Sequence, residues 1–135
     1  MKIKTIVNDC ERRPATVADP KLNMKKLEYE TTYIVKENGT KYVFVIPARF
    51  EFDGASIPRA LWSVVGTPFE PDLERGALLH DYLYRENPEN IGRKMADTIF
   101  YETIRADTVG YCRAKTIYAG VRSGGWYAWS KHRGE

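Results

Sequence analysis

Hydrophobic positions in the first third of the chain fall in short runs rich in β-branched and aromatic residues. Tyr29 to Lys36 and Lys41 to Ile46 are the clearest, and such residues suit a pleated, half-buried surface. Between them lies Glu37-Asn38-Gly39-Thr40. Asn38-Gly39 is a hairpin signal, because both residues tolerate positive φ. Lys2 to Val7 reads as a further strand, and Pro14 and Pro20 mark the loop that follows it.

From about residue 51 the pattern turns helical. Ser56-Ile57-Pro58 reads as an N-cap followed by an early proline, opening a short helix that stops near Gly66. A longer helix is expected from about Asp72 to Arg85, broken by Asn87-Pro88-Glu89-Asn90. A third covers about Ile91 to Arg105. Asp107-Thr108 restarts the chain into a fourth, which Ser123-Gly124-Gly125 ends or kinks. An aromatic stretch, Trp126-Tyr127-Ala128-Trp129, precedes a basic one, Lys131-His132-Arg133. These aromatics suit packing on the core or a partner subunit, or contact with a membrane interface.

The expectation is α+β: an N-terminal antiparallel hairpin or small sheet, then three or four helices. One domain spanning residues 1–135 is expected, mainly strands over 1–50 and mainly helices over 51–135. At 43% hydrophobic residues such a chain affords a real core. Twenty-one basic against 18 acidic residues leave a net charge of +3, too balanced to imply nucleic-acid binding. Cys10 and Cys112 are far apart and outside any C-x-x-C context, so neither a disulfide scaffold nor a cysteine zinc site is indicated. No run approaches the length of a membrane span, and Met1-Lys2-Ile3-Lys4 lacks the apolar stretch of a signal peptide.

The chemistry centres on His80-Asp81. On a helix, residues four apart share a face, so His80 and Tyr84 line up with Gly76. Asp81 is turned from them by about 100°. Gly76 within a helix calls for a compensating close approach by a neighbouring helix. On the next helix, Asp97 sits among Met95, Ala96, Ile99 and Phe100. Burying that carboxylate is costly without hydrogen bonds. An imidazole N–H from His80 and the Tyr84 hydroxyl would supply them, fixing the tautomer and leaving the other ring nitrogen as a base. Asp53-Gly54 can form a tight loop whose carbonyls, with Asp81, offer a hard cation its preferred oxygen ligands. The plainer readings are a polar core cluster at His80-Asp81 and a simple turn at Asp53-Gly54. Ser56 lacks a G-x-S-x-G elbow and reads as an N-cap.

Several enzyme classes drop out. A metal site of the H…HD…D type needs a histidine upstream of the His-Asp pair, and none precedes His80. H-E-x-x-H and the phosphate-cradling G-x-x-x-x-G-K-[ST] are both absent.

Two resemblances attach to these residues. Val45-Ile46-Pro47, Phe50, Asp53-Gly54-Ala55-Ser56-Ile57-Pro58-Arg59 and Trp62, then Leu79-His80-Asp81-Tyr82-Leu83-Tyr84-Arg85, resemble a phage and prophage family known as domain of unknown function 1353. The match runs roughly from Tyr29 to Tyr101. It implies a phage source, hence the host cytoplasm or a virion assembled there, and no particular activity. His80-Asp81-x-x-Tyr84 with Asp97 on the next helix also resembles the core of secreted phospholipases A2. That resemblance implies His80 as the general base, Tyr84 and Asp97 as its orienters, and calcium held by Asp81 with the Asp53-Gly54 loop. Where secreted members brace these helices with disulfides, this chain has Leu83 and Ala96. The leading expectation is a phage-encoded calcium-dependent hydrolase acting on phospholipid esters. The alternatives are a non-catalytic virion component that meets other phage structural proteins, and a small regulatory protein that binds a host factor.

Overall fold

The structure is a computed structural model that describes residues 3–8, 16–19, 24–52, 62, 70 and 72–131. Its strands are β1 (Ile3–Asn8), β2 (Thr16–Asp19), β3 (Met24–Leu27), β4 (Thr31–Glu37), β5 (Thr40–Ile46) and β6 (Glu51–Phe52). Among the described residues, the helices with defined bounds are α1 (Glu74–Arg85), α2 (Arg93–Ala106), α3 (Tyr111–Gly124) and α4 (Trp126–Lys131). The class is α+β, with antiparallel strands first and, among the described residues, these four helices after them.

The strands form two three-stranded antiparallel sheets, in the orders β1-β4-β5 and β2-β3-β6. The β4–β5 hairpin turns at Asn38 and Gly39, whose φ values of 47° and 86° are those the Asn-Gly pair was expected to supply. Its register sets Tyr33 opposite Phe44 and Thr31 opposite Ile46. All four are buried, while Val43 and Val45 point the other way and are exposed. The second sheet has no counterpart in the sequence reading. Its strands are two to four residues long, too short for a period of two to show. The short helix expected from Ser56 falls outside the described residues, apart from Trp62.

Each long helix sits within two or three residues of its expected span. The break after α1 is held by Asn87, whose side-chain oxygen accepts from Ile91 N–H while its amide donates to the Ile91 carbonyl, both at 2.9 Å. Leu78, Leu79 and Leu83 of α1 and Met95, Ala96 and Ile99 of α2 form a core with the inner faces of β4 and β5. Behind it, Ala77, Phe100 and Ile104 pack with Ala114, Ile117 and Val121 of α3. Gly76 lies at the α1–α2 contact, where a Cβ would stand 3.0 Å from both Phe100 Cδ1 and Ile104 Cγ2. That close approach is the compensation a mid-helix glycine requires. Among the described residues no helix is long and apolar enough to cross a membrane.

Candidate functional site

Helix α1 is the central helix. It packs against α2 on one side and touches β6 and α4 on others, so every residue from Gly76 to Tyr84 is buried. This is why His80 and Asp81 are both covered although they face different sectors.

The His80 sector meets α2. His80 Nε2 lies 2.7 Å from Asp97 Oδ1, and the Tyr84 hydroxyl donates to the same oxygen at 2.6 Å. The His80 ring is stacked on Phe100 with centroids 4.7 Å apart and contacts Tyr84 at 4.4 Å. The second carboxylate oxygen, Asp97 Oδ2, accepts from Arg122 Nη1 at 2.8 Å, and Arg93 Nη1 stands 3.5 Å from it. Arg93 also donates to the carbonyls of Val121 and Arg122 at 3.2 and 3.1 Å. It thereby ties the start of α2 to the carbonyl end of α3, where a cation is favoured.

These contacts fix the protonation states of two groups. Burial works to raise the Asp97 carboxyl, but the hydrogen bond and charge of His80, the Tyr84 hydroxyl and Arg122 outweigh it. Asp97 therefore lies below its ordinary value and is ionised. Burial, then the charge and hydrogen bond of Asp97, push the Tyr84 phenol far above its ordinary value. Beside an ionised Asp97 the His80 Nε2 carries a proton, and a neutral imidazole then has its basic lone pair on Nδ1.

The C-terminal segment closes over Tyr84. Trp129 meets its ring edge-on at 5.1 Å. A Cβ at Gly125 would fall 2.6 Å from the Tyr84 hydroxyl and 2.5 Å from the Val121 carbonyl. Trp129 and Ala128 pack on the core, while Trp126 and Tyr127 of the same helix are exposed.

The Asp81 sector faces the strands. Asp81 Oδ2 lies 3.4 Å from Arg85 Nη2, and that same nitrogen donates to the Glu51 carbonyl at 2.6 Å. A carboxylate oxygen and a backbone carbonyl oxygen thus face one guanidinium nitrogen. Asp53 and Gly54 follow β6 in sequence and lie outside the described residues. Among the described residues, no group of three or more His, Cys, Asp or Glu converges as a metal site.

Of the six residues singled out from sequence, His80, Tyr84 and Asp97 meet directly. Asp81 is adjacent and turned away toward Arg85 and Glu51. Arg93, Arg122 and Gly125 were not anticipated at the site, whereas Trp129 was expected to pack on the core or a partner subunit and does pack on the core. Arg93 carried a readable signal, being four residues before Asp97 on one helix. Arg122 comes from distant sequence and carried none. Leu83 and Ala96, at the positions compared with disulfide cysteines, are fully buried and pack in the core. Cys112 is an exposed free thiol.

No solved structure matches the chain. A protein of Sinorhizobium fredii (strain NBRC 101917 / NGR234), "Uncharacterized protein y4jT", is 37% identical over 90 residues. The aligned part is 65% of this chain and 25% of that protein, so the chain spans about a quarter of its relative's length. The profile of a family described as "Protein of unknown function (DUF1353)" matches residues 26–121, most of the chain, and the chain belongs to that family.

Proposed function

We propose that the chain is a calcium-dependent hydrolase of the phospholipase A2 type, encoded by a phage or prophage, which cleaves an ester bond of a phospholipid with activated water. The observation that carries this reading is the shared oxygen: His80 Nε2 and the Tyr84 hydroxyl both bind Asp97 Oδ1, at 2.7 and 2.6 Å. An ionised carboxylate behind Nε2 orients the imidazole and stabilises the imidazolium that forms when Nδ1 takes a proton. Water deprotonated by Nδ1 attacks the ester carbonyl, and the imidazolium then returns the proton to the departing alkoxide. Tyr84 remains protonated and holds Asp97 in place. Asp81, with the Asp53-Gly54 loop, would hold calcium, which supplies positive charge for the oxyanion that develops on the carbonyl.

A second reading is favoured by burial. The His80 and Asp97 side chains are both 0% exposed, as befits a structural polar cluster. Here the chain is a non-catalytic virion component of tail, baseplate or head. Trp126 and Tyr127, exposed at 58% and 65%, would meet its neighbours.

The deciding experiment measures fatty-acid release from phospholipid vesicles, with calcium and with a chelator, for wild type and His80→Gln. Calcium-dependent release that His80→Gln removes supports the hydrolase. No release by the wild type from any phospholipid class moves the assignment to the virion component.

A further inference from the structure

We propose that the face shared by α2 and α3 docks an acidic segment of a partner protein, which sets a carboxylate against Lys115, Arg105 and the tyrosines around them. The inference is independent of the hydrolase reading. Tyr111, Lys115 and Tyr118 follow one another at helical spacing on α3, and Tyr101 meets them from α2. The Lys115 ammonium stands 4.6, 5.6 and 6.0 Å from the ring centroids of Tyr101, Tyr111 and Tyr118. Tyr101 and Tyr118 contact each other at 5.7 Å, and the Arg105 guanidinium lies 5.9 Å from the Tyr111 centroid.

This cluster holds two cations and no anion. Among the described residues Lys115 makes no ion pair or hydrogen bond, and Arg105 donates only to the Val109 carbonyl, at 2.9 Å. The three tyrosine hydroxyls hydrogen-bond to nothing among the described residues. Carboxylates on adjoining elements do not answer these charges. Asp97 is held by Arg122, Asp107 by Arg75, and Glu70 and Asp72 by Arg113, while Glu102 pairs with neither cation. No acidic residue lies between Asp107 and Glu135 in the sequence. Contact with the rings orders the Lys115 arm without neutralising it, which lowers the entropy lost when a carboxylate arrives. Tyrosine and arginine commonly carry the binding energy of protein interfaces, and Tyr111 is 59% exposed. The compact footprint favours a side-chain carboxylate over a polymer of phosphates. A nucleic-acid strand needs a track of cations, and the next arginines on α3, Arg113 and Arg122, are already committed to carboxylates of this chain. A lipid surface favours leucine, phenylalanine or tryptophan side chains to bury, and this cluster has none.

The test is fluorescence anisotropy of a labelled peptide of alternating glutamate and alanine, titrated with the whole chain at physiological salt, for wild type, Lys115→Glu, Tyr111→Ala and Lys131→Glu. Lys115→Glu should weaken binding on the order of tenfold or more, because it sets a like charge against the peptide carboxylate. Tyr111→Ala should weaken it by about threefold or more. Lys131→Glu makes the same change of net charge on α4 and should stay within about twofold of wild type, since salt screens exposed charges beyond about 8 Å. Far-UV circular dichroism checks folding, and Lys115→Gln gives a readout in the same direction should Lys115→Glu fail to fold. Absence of peptide binding by the wild type overturns the proposal, as does an equal loss in Lys115→Glu and Lys131→Glu. Tighter binding of an oligothymidylate or of phosphatidylglycerol vesicles than of the peptide also overturns it, and hands the surface to a nucleic acid or a membrane.

Discussion

Arg122 Nη1 donates to Asp97 Oδ2 at 2.8 Å, on the oxygen that His80 and Tyr84 leave to it. The carboxylate is therefore gripped from three helices: α1 on one oxygen, α3 on the other, and α2 as its own support. This makes Asp97 the joint of the helical layer as well as the partner of the candidate base.

The first prediction concerns pH. The Asp97 carboxyl is depressed below its ordinary value in the folded chain. A depressed carboxyl contributes stability that is present above its unfolded value and lost as pH falls through the folded one. Urea unfolding from pH 7 to pH 2 should show wild type losing an increment below about pH 4 that Asp97→Asn lacks. At neutral pH the variant should be weaker by about 3 kcal/mol, because it strands part of a buried charged network. Equal loss of stability in both proteins on acidification would refute the role given to Asp97.

Tyr84 gives an alkaline counterpart. Its phenol is raised by burial and by the Asp97 charge, so its contribution is full below the unfolded value near 10 and is lost as pH rises beyond it. Titration of tyrosinate absorbance in the native state up to about pH 11 should be nearly the same for wild type and Tyr84→Phe. After unfolding, wild type should titrate one tyrosine more. Tyr84→Phe should also cost about 1–2 kcal/mol for the lost hydrogen bond. A native-state difference of one full tyrosine below pH 11 would contradict the buried contact.

Much of this was legible in the residues. The Asn38-Gly39 turn sets the hairpin, and helical spacing alone aligns Gly76, His80 and Tyr84 on the face that meets α2. Asp97 stood out because its neighbours are apolar, a pattern that demands a partner. Arg122 did not, because it reaches Asp97 across 25 residues of sequence from a different helix. No local period encodes that distance, and an arginine near a helix end reads as solvated or as a response to the helix dipole. The second sheet escaped for a related reason: β3 is Met-Lys-Lys-Leu, and its pairing with β6 is settled by tertiary contact rather than by local preference.

Gly125 tests the closure over the site. A Cβ there would collide with the Val121 carbonyl and the Tyr84 hydroxyl, and the backbone oxygen cannot give way as a side chain can. Gly125→Ala should cost about 1–3 kcal/mol, the usual range for overpacking. Gly110→Ala, where a new Cβ meets nothing within 4 Å, should stay within about 0.5 kcal/mol of wild type. The two variants together separate a steric clash from the loss of glycine's freedom in the unfolded chain. Matching thermal melts for the pair would show that α4 does not close on Tyr84 as described.

His80 separates enzyme from scaffold, because the two roles predict opposite patterns. A general base contributes on the order of 10²–10⁴-fold in rate, so His80→Gln in an enzyme should lose nearly all calcium-dependent ester cleavage. A glutamine amide can still donate toward Asp97 Oδ1, and the melting temperature should then fall little. In a scaffold, the ring matters for what it packs against: Phe100 at 4.7 Å and Tyr84 at 4.4 Å. Replacing an aromatic ring there by a flexible amide should cost about 1–3 kcal/mol, through lost packing and imperfect satisfaction of Asp97. His80→Phe sharpens the contrast. It keeps a ring between Phe100 and Tyr84 but removes the donor to Asp97, so it should unfold more readily than His80→Gln if the hydrogen bond dominates. If stacking dominates, the order reverses. Denaturation of the three proteins in parallel, with fatty-acid release measured on the same preparations, reads both roles at once. Release that survives in His80→Gln at the wild-type rate would remove His80 from the chemistry altogether.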